Sequence, residues 1–216
     1  MYRKIVHIMI LSVSLIASSI AFGLDTSANQ AIGKVIIASG NVSAIGSDNS
    51  SRNITRGVDV FNGDRIVTQD NGKAQIRLND NSVFSIRPNS EVKIVDYHYN
   101  KAKPNTNKSI IELMKGGLRA ITGKIAKETP SSYQVKTNVA VIGVRGTDFT
   151  ALLENADNKN QLFVTSWDGI VTITNSAGSI SIGKGESFKN ALVSSSSSAP
   201  QGLAEPAPGI VGCPAP

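Results

Sequence analysis

From residue 32 to about residue 189 the chain repeats one theme: short β-branched runs broken by clusters of glycine, asparagine and aspartate. That rhythm predicts an all-β domain of short strands and tight turns. The segment Lys73–Leu78 alternates cleanly, which sends Ala74, Ile76 and Leu78 to a core and Lys73, Gln75 and Arg77 to water. Asn79–Ser82 turns the chain, and Val83–Arg87 returns with Phe84 and Ile86 inward. Pro88 cannot donate to a ladder, so that strand stops or meets an edge there. Ser39-Gly40 reads as a hairpin turn between Lys34–Ala38 and Asn41–Ile45, and Phe61–Asp64 as another turn. Tyr99–Asn107, broken by Pro104, reads as a loop, with two strands, Ile110–Leu113 and Leu118–Ile125, on either side of Gly116-Gly117.

The segment Tyr133–Leu153 is the most informative. Tyr133, Val135 and Thr137 alternate with polar partners, as in a half-buried strand, and then Val139–Val144 is apolar or small on both faces. Loss of alternation predicts burial on two sides. Gly143 and Gly146 predict a bulge or a close backbone approach there. A last hairpin is expected around Trp167-Asp168-Gly169, then a strand at Ser179–Ile182.

The ends differ in character. Residues 1–23 carry Arg3 and Lys4, an apolar stretch from Ile5, and small residues up to Ala21-Phe22-Gly23. This is the pattern of a cleaved signal peptide, so the mature chain is expected to be periplasmic or secreted, with no transmembrane segment. Residues 24–31 form a short polar lead-in, 32–189 the single β domain, and 190–216 a Ser-, Pro- and Ala-rich tail expected to be disordered. Two architectures suit these strand lengths: a two-layer sandwich and a short β-solenoid. The single cysteine, Cys213, lies in the tail, so the apolar core has no disulfide to support it.

Charge and chemistry narrow the function. The formal net charge is +6; loss of Arg3 and Lys4 leaves +4, a mild bias that identifies no nucleic-acid binder. His98 is the one histidine outside the leader, and no nucleophile elbow, phosphate loop or metal-ligand spacing accompanies it. We therefore expect no catalysis, no cofactor and no metal. Asp64, Asp80, Asp148 and Asp168 fall in or beside turns, where local backbone bonding is their expected use. A carbohydrate-active enzyme would instead need two of them, such as Asp64 and Asp168, across one bond. Lys101, Lys103, Lys108, Lys115, Arg119, Lys124 and Lys127 crowd one stretch. They read as a solvated face, or as a basic strip for another envelope protein or an anionic envelope polymer.

Four stretches resemble the FecR domain, the periplasmic β-domain of bacterial iron-uptake regulators: Phe61–Thr68, Ala74–Ser90, Val135–Phe149, and Asp168–Val171 with Gly183–Glu186. The most specific is Gly143-Val144-Arg145-Gly146-Thr147-Asp148-Phe149. The resemblance spans about residues 32–189 and departs from the family at Asn138, usually proline, and at Asn81, often glycine. It implies an exported binding or scaffolding module. The alternative is an accessory sensor in cell-surface signalling, although no anti-sigma segment precedes the domain here. Within the motif, Arg145 is expected to tie loop carbonyls or a carboxylate to the sheet, with Gly146 supplying the backbone geometry.

Overall fold

The computed structural model describes residues 30–156, 159–207 and 210. The expected leader, most of the lead-in and Cys213 lie outside them. The strands are β1 (Gly33–Ser39), β2 (Val42–Ile45), β3 (Ser51–Asn53), β4 (Asp59–Val60), β5 (Arg65–Thr68), β6 (Lys73–Leu78), β7 (Val83–Ile86) and β8 (Glu91–His98). After them come β9 (Lys108–Ile121), a short helix α1 (Lys124–Glu128), β10 (Tyr133–Lys136), β11 (Val141–Ala156) and β12 (Lys159–Asn175). The last three are β13 (Gly178–Gly183), β14 (Asn190–Val193) and β15 (Gln201–Leu203). Among the described residues no helix is long and apolar enough to cross a membrane.

All these strands join one hydrogen-bonded mixed sheet, in which β9–β10 is parallel and the other pairs are antiparallel. The registers divide it into two arms. One runs β3-β2-β5-β8, the first half of β9, β10, then the ends of β11 and β12 nearest residues 141 and 175, and β13. The other runs β4-β1-β6-β7, the second half of β9, the remaining halves of β11 and β12, β14 and β15. One continuous buried cluster draws Ala44, Ile66 and Ile142 from the first arm and Val35, Ile76 and Phe149 from the second. The arms are therefore two facing layers, the sandwich-like of the two expected architectures, with strands that switch layer through bends.

Those bends lie where hairpins were expected, which corrects three turn assignments. Ser39-Gly40 does not pair β1 with β2; Gly40, at φ +65°, carries the chain from one arm to the other. Gly116-Gly117 does not separate two strands but bends β9, with Gly116 at φ +78°. Asp168-Gly169 bends β12 in the same way. A glycine at positive φ serves a hairpin and a layer switch equally well, and only long-range pairing decides between them.

The main corner is built from glycine against backbone. Gly146 of β11, Gly169 of β12 and Gly183 of β13 all have positive φ. A Cβ on Gly169 would sit 2.5 Å from the Gly146 carbonyl oxygen, and one on Gly183 would sit 2.2 Å from that of Gly169. Beside them Thr122 and Thr147 clamp β11 to the end of β9. The Thr122 N–H donates to the Thr147 carbonyl (2.9 Å), and the Thr147 N–H donates to Thr122 Oγ1 (2.8 Å). The register of β11 on β12 shifts here, between Arg145 and Asp148, as the glycine spacing predicts.

The β6–β7 turn is held from inside. Asp80 is fully buried, and its carboxylate accepts from Ser82 N–H and Oγ, from the Tyr97 hydroxyl and from the Ile125 N–H at the start of α1. Burial, with the nearby Asp80 charge second, pushes the Tyr97 hydroxyl well above its ordinary ionisation range. The same two causes push Tyr133 well above its own.

The chain past residue 189 departs from the expected disorder. β14 adds to β12 and β15 to β14, while Ala207 and Ile210 pack on Leu152 and Phe163. Serine hydroxyls and carbonyls gave no apolar signal, yet the Ser195 and Ser198 carbonyls accept from Asn175 Nδ2 across the arm tips.

Gly169→Ala is expected to cost about 2 kcal/mol or more, because strain at positive φ adds to the carbonyl clash. Gly57→Ala, at φ +90° with nothing within 4 Å, is expected to cost about 1 kcal/mol; urea unfolding of both variants checks the difference. In alkali, the neutral form of Tyr97 and Tyr133 is favoured only in the folded state. Their stabilising contribution holds below the ordinary tyrosine range, about pH 10, and fades above it. Ultraviolet titration should show part of the tyrosinate signal rising together with loss of β circular dichroism.

Candidate functional site

Three of the four turn carboxylates, those of Asp64, Asp80 and Asp148, are engaged within the fold. Asp64 is 1% exposed; Arg52 grips both its oxygens, and the Phe61 N–H donates to it at 2.8 Å. The Arg52 guanidinium also lies 5.2 Å from the Phe61 ring centre. Asp64 thus closes the turn around Gly63. Asp168 is exposed at the corner, on a different turn from Asp64. His98 is exposed, opposite Lys108. Among the described residues no group of three His, Cys, Asp or Glu side chains stands close enough to hold a metal ion.

The segment 143–149 divides residue by residue. Val144 and Phe149 enter the core, Gly146 makes the bend, and Thr147 is clamped to Thr122. Asp148 accepts two hydrogen bonds from Arg119, at 2.9 and 2.7 Å. The structure thereby corrects the role expected of Arg145. That side chain is exposed, and among the described residues it has no hydrogen bond or ion pair; the bidentate clamp belongs to Arg119. Sequence spacing within one motif gave no sign of a partner 29 residues away.

Arg119 also stands apart from most of the expected basic strip. It sits on the outer face of the second arm, while Lys115 lies at the β9 bend, beside an open groove of about 670 Å³. Lys108 pairs with Asp96 at the far end of β9 (2.7 Å), about 23 Å from Lys115 at strand rise. Lys101 and Lys103 are exposed in the preceding loop, and Lys124 and Lys127 belong to α1. Lys115 and Arg119 therefore stand apart from Lys108, whereas the loop that carries Lys101 and Lys103 meets the end of α1, where Thr129 Oγ1 donates to the Pro104 carbonyl (3.5 Å).

Beneath Arg119 and Trp167 the outer face carries a row of small and polar side chains that are mostly buried, Gln75 among them, contrary to its expected exposure to water. Gln75, Ser85, Arg119, Thr150, Thr165 and Asn190 stand opposite one another on successive strands. Gln75 Nε2 donates to Ser85 Oγ (3.1 Å), and Thr165 Oγ1 to Asn190 Oδ1 (2.9 Å). The row supports Trp167: its Nε1–H donates to Thr150 Oγ1 (2.9 Å), and Arg119 lies 5.6 Å from the ring centre. The indole is thus fixed from behind by a hydrogen bond and a cation–π contact, yet the residue remains 43% exposed. Phe188 is 40% exposed, with its ring against the Gly202 backbone, where a Cβ would lie 2.2 Å from Cδ2.

Both rings line one open trough of about 410 Å³, with Thr165, Ser166, Lys189 and Asn190 among its walls and Pro206 at its rim. Sequence reading placed Trp167 in a hairpin and passed over Phe188. The available signal was two aromatics flanking turns in a chain with few aromatics.

Arg119→Lys is expected to lower stability by about 1–2 kcal/mol through loss of the two-pronged bond and the stacking. Arg145→Lys should stay within about 0.5 kcal/mol of the unmodified protein. Thermal melts of the two purified variants separate these outcomes.

The comparisons agree with this geometry. Two crystal structures of a candidate anti-sigma factor from Parabacteroides distasonis ATCC 8503 share the fold, with a TM-score of 0.51 and 15% identity over 68% of this chain. The chain spans 62% of their length. No curated protein matches it. The model of the FecR protein family matches residues 64–172, half of the sequence, from the Asp64 turn to the far side of the β12 bend. The chain belongs to the FecR protein family.

Proposed function

We propose that this protein is a non-catalytic binding module of the bacterial envelope, working as a sensor component in signalling, and that it meets its partner through the Trp167–Phe188 trough. One observation carries the reading. The carboxylates of Asp64, Asp80 and Asp148 are taken up by turns and ion pairs, whereas an indole braced by Thr150 and Arg119 and a phenyl ring resting on the Gly202 backbone are left uncovered in one place. Exposed aromatics fixed from behind lose little entropy on binding and tend to dominate protein interfaces. Family membership and the description carried by the similar solved structures favour a signalling partner over a purely structural one. The apolar leader in residues 1–23 supports an extracytoplasmic place of action.

The test is site-specific photocrosslinking in cells, with a photoreactive residue at Ser187 in the trough or at Ala102 in the exposed lysine loop. A discrete adduct is expected from Ser187 alone, lost on Trp167→Ala or Phe188→Ala while the melting temperature of Phe188→Ala stays within a few degrees. An adduct from Ala102 alone, or one indifferent to both substitutions, would overturn the assignment of the trough.

A further inference from the structure

The sheet ends in free edges, and one differs from the rest. β3 and β15 have three residues each and β4 has two, short enough to offer little template for another strand. β13 runs six residues, Gly-Ser-Ile-Ser-Ile-Gly, and pairs with β12 alone. It carries no charge, no proline and no bulge, the devices that keep an edge from pairing.

Its hydrogen bonds reveal which groups are bare. The Gly183 N–H donates to the Phe188 carbonyl (2.8 Å), away from β12. Because direction alternates along a strand, Ser181 and Ser179 also point their N–H and C=O outward, while Gly178, Ile180 and Ile182 bond to β12. Side chains agree. The Thr172–Ser181 and Thr174–Ser179 hydroxyl pairs are 3.0 and 2.8 Å apart, at the positions where an antiparallel ladder brings side chains closest. Among the described residues nothing bonds the outward groups of Ser179 or Ser181.

We infer that β13 is the seam of a homodimer, in which two copies pair antiparallel about a two-fold axis at Ile180. In that register Ser179 of each copy faces Ser181 of the other. All the bare N–H and C=O groups of both serines on both copies are satisfied at once, by four hydrogen bonds. The segment Ser-Ile-Ser reads the same in both directions, as an isologous contact requires. Ile180, half-buried at the open side of the core, meets its own copy and loses its remaining exposure. A second copy fits better than an unrelated strand because the one register that satisfies every bare group is self-complementary, and no charge on β13 repels its twin. A seam one strand long buries less than a standard interface of about 1,200–2,000 Å², so the dimer exchanges with single chains on dilution.

Sedimentation equilibrium of the purified protein from about 1 to 300 µM should show mass rising from one chain to two. Ser181→Pro removes an outward N–H without touching the ladder to β12; with its circular dichroism unchanged, it should stay a single chain throughout. On a Cys213→Ser background, Ile180→Cys places two thiols at a non-bonded pair about 4.5 Å apart between Cα atoms, within reach of a disulfide. It should give a two-chain band without reductant, whereas Ser176→Cys at the hairpin tip should not. A single-chain mass over the whole range, a Ser181→Pro dimer as tight as the original, or equal crosslinking of the two cysteine variants would overturn the seam.

Discussion

A sheet that covers both sides of one core has to carry strands from layer to layer without abandoning their backbone hydrogen bonds, and here glycine makes that possible. At the main corner three adjacent strands bend in step, and each bend sets one backbone against the carbonyl of the next: Gly169 on Gly146, Gly183 on Gly169. A side chain at either position would hold the strands apart and break the ladder where it turns. The Thr122–Thr147 clamp extends the same corner to β9. β9 itself bends within its length, at Gly116, where a Cβ would meet Ser90 and the Asn89 carbonyl. The two arms are therefore joined through opposite corners and close on a common core.

The buried charges follow from that closure. Once the layers face each other, the turns at their ends are cut off from water and their polar groups need partners within the protein. Asp80 finds four donors, and Asp64 finds Arg52 and a backbone N–H; Asp148, which stays partly exposed, finds Arg119. Deleting one member of such a set strands the other in a poor solvent, so these residues are constrained as units. The motif 143–149 belongs to this logic: it is the sequence of a corner, and its one exposed charged side chain, Arg145, is one the corner does not use.

Much of this was legible in the sequence. Alternation placed Ala74, Ile76, Leu78, Phe84 and Ile86 in the core. The apolar run at 139–144 sent Val139, Ala140, Ile142 and Val144 there too, but Val141 and Gly143 are only partly covered, so the expected burial on two faces is not met. Local patterns reported local facts. They gave Gly40, Gly116 and Gly169 as turns but not as layer switches, because the difference lies in strands tens of residues away. They named Arg145 because it is adjacent to Asp148, when the real partner arrives across the sheet from β9. They grouped seven cations by proximity in sequence, although a strand extending about 3.3 Å per residue soon separates its ends. The tail was missed for a further reason: β14 and β15 add to an existing sheet and borrow a core already formed, so their own composition need not supply one.

The same strand links the two surfaces assigned here. β12 bends at Gly169; one half carries Trp167 and the trough, the other carries the β13 edge. Because the corner is packed backbone to backbone, it leaves little freedom between the halves, and the angle from trough to seam is fixed by covalent geometry and not by a linker. A dimer paired at Ile180 would then present two troughs in one rigid two-fold arrangement. A partner that is itself duplicated gains from the second contact at a high effective concentration, provided its own spacing matches. Recognition of that kind depends on geometry more than on any single contact. It is a use to which a module with its polar chemistry buried in corners, and its aromatic rings braced on the outside, is well suited.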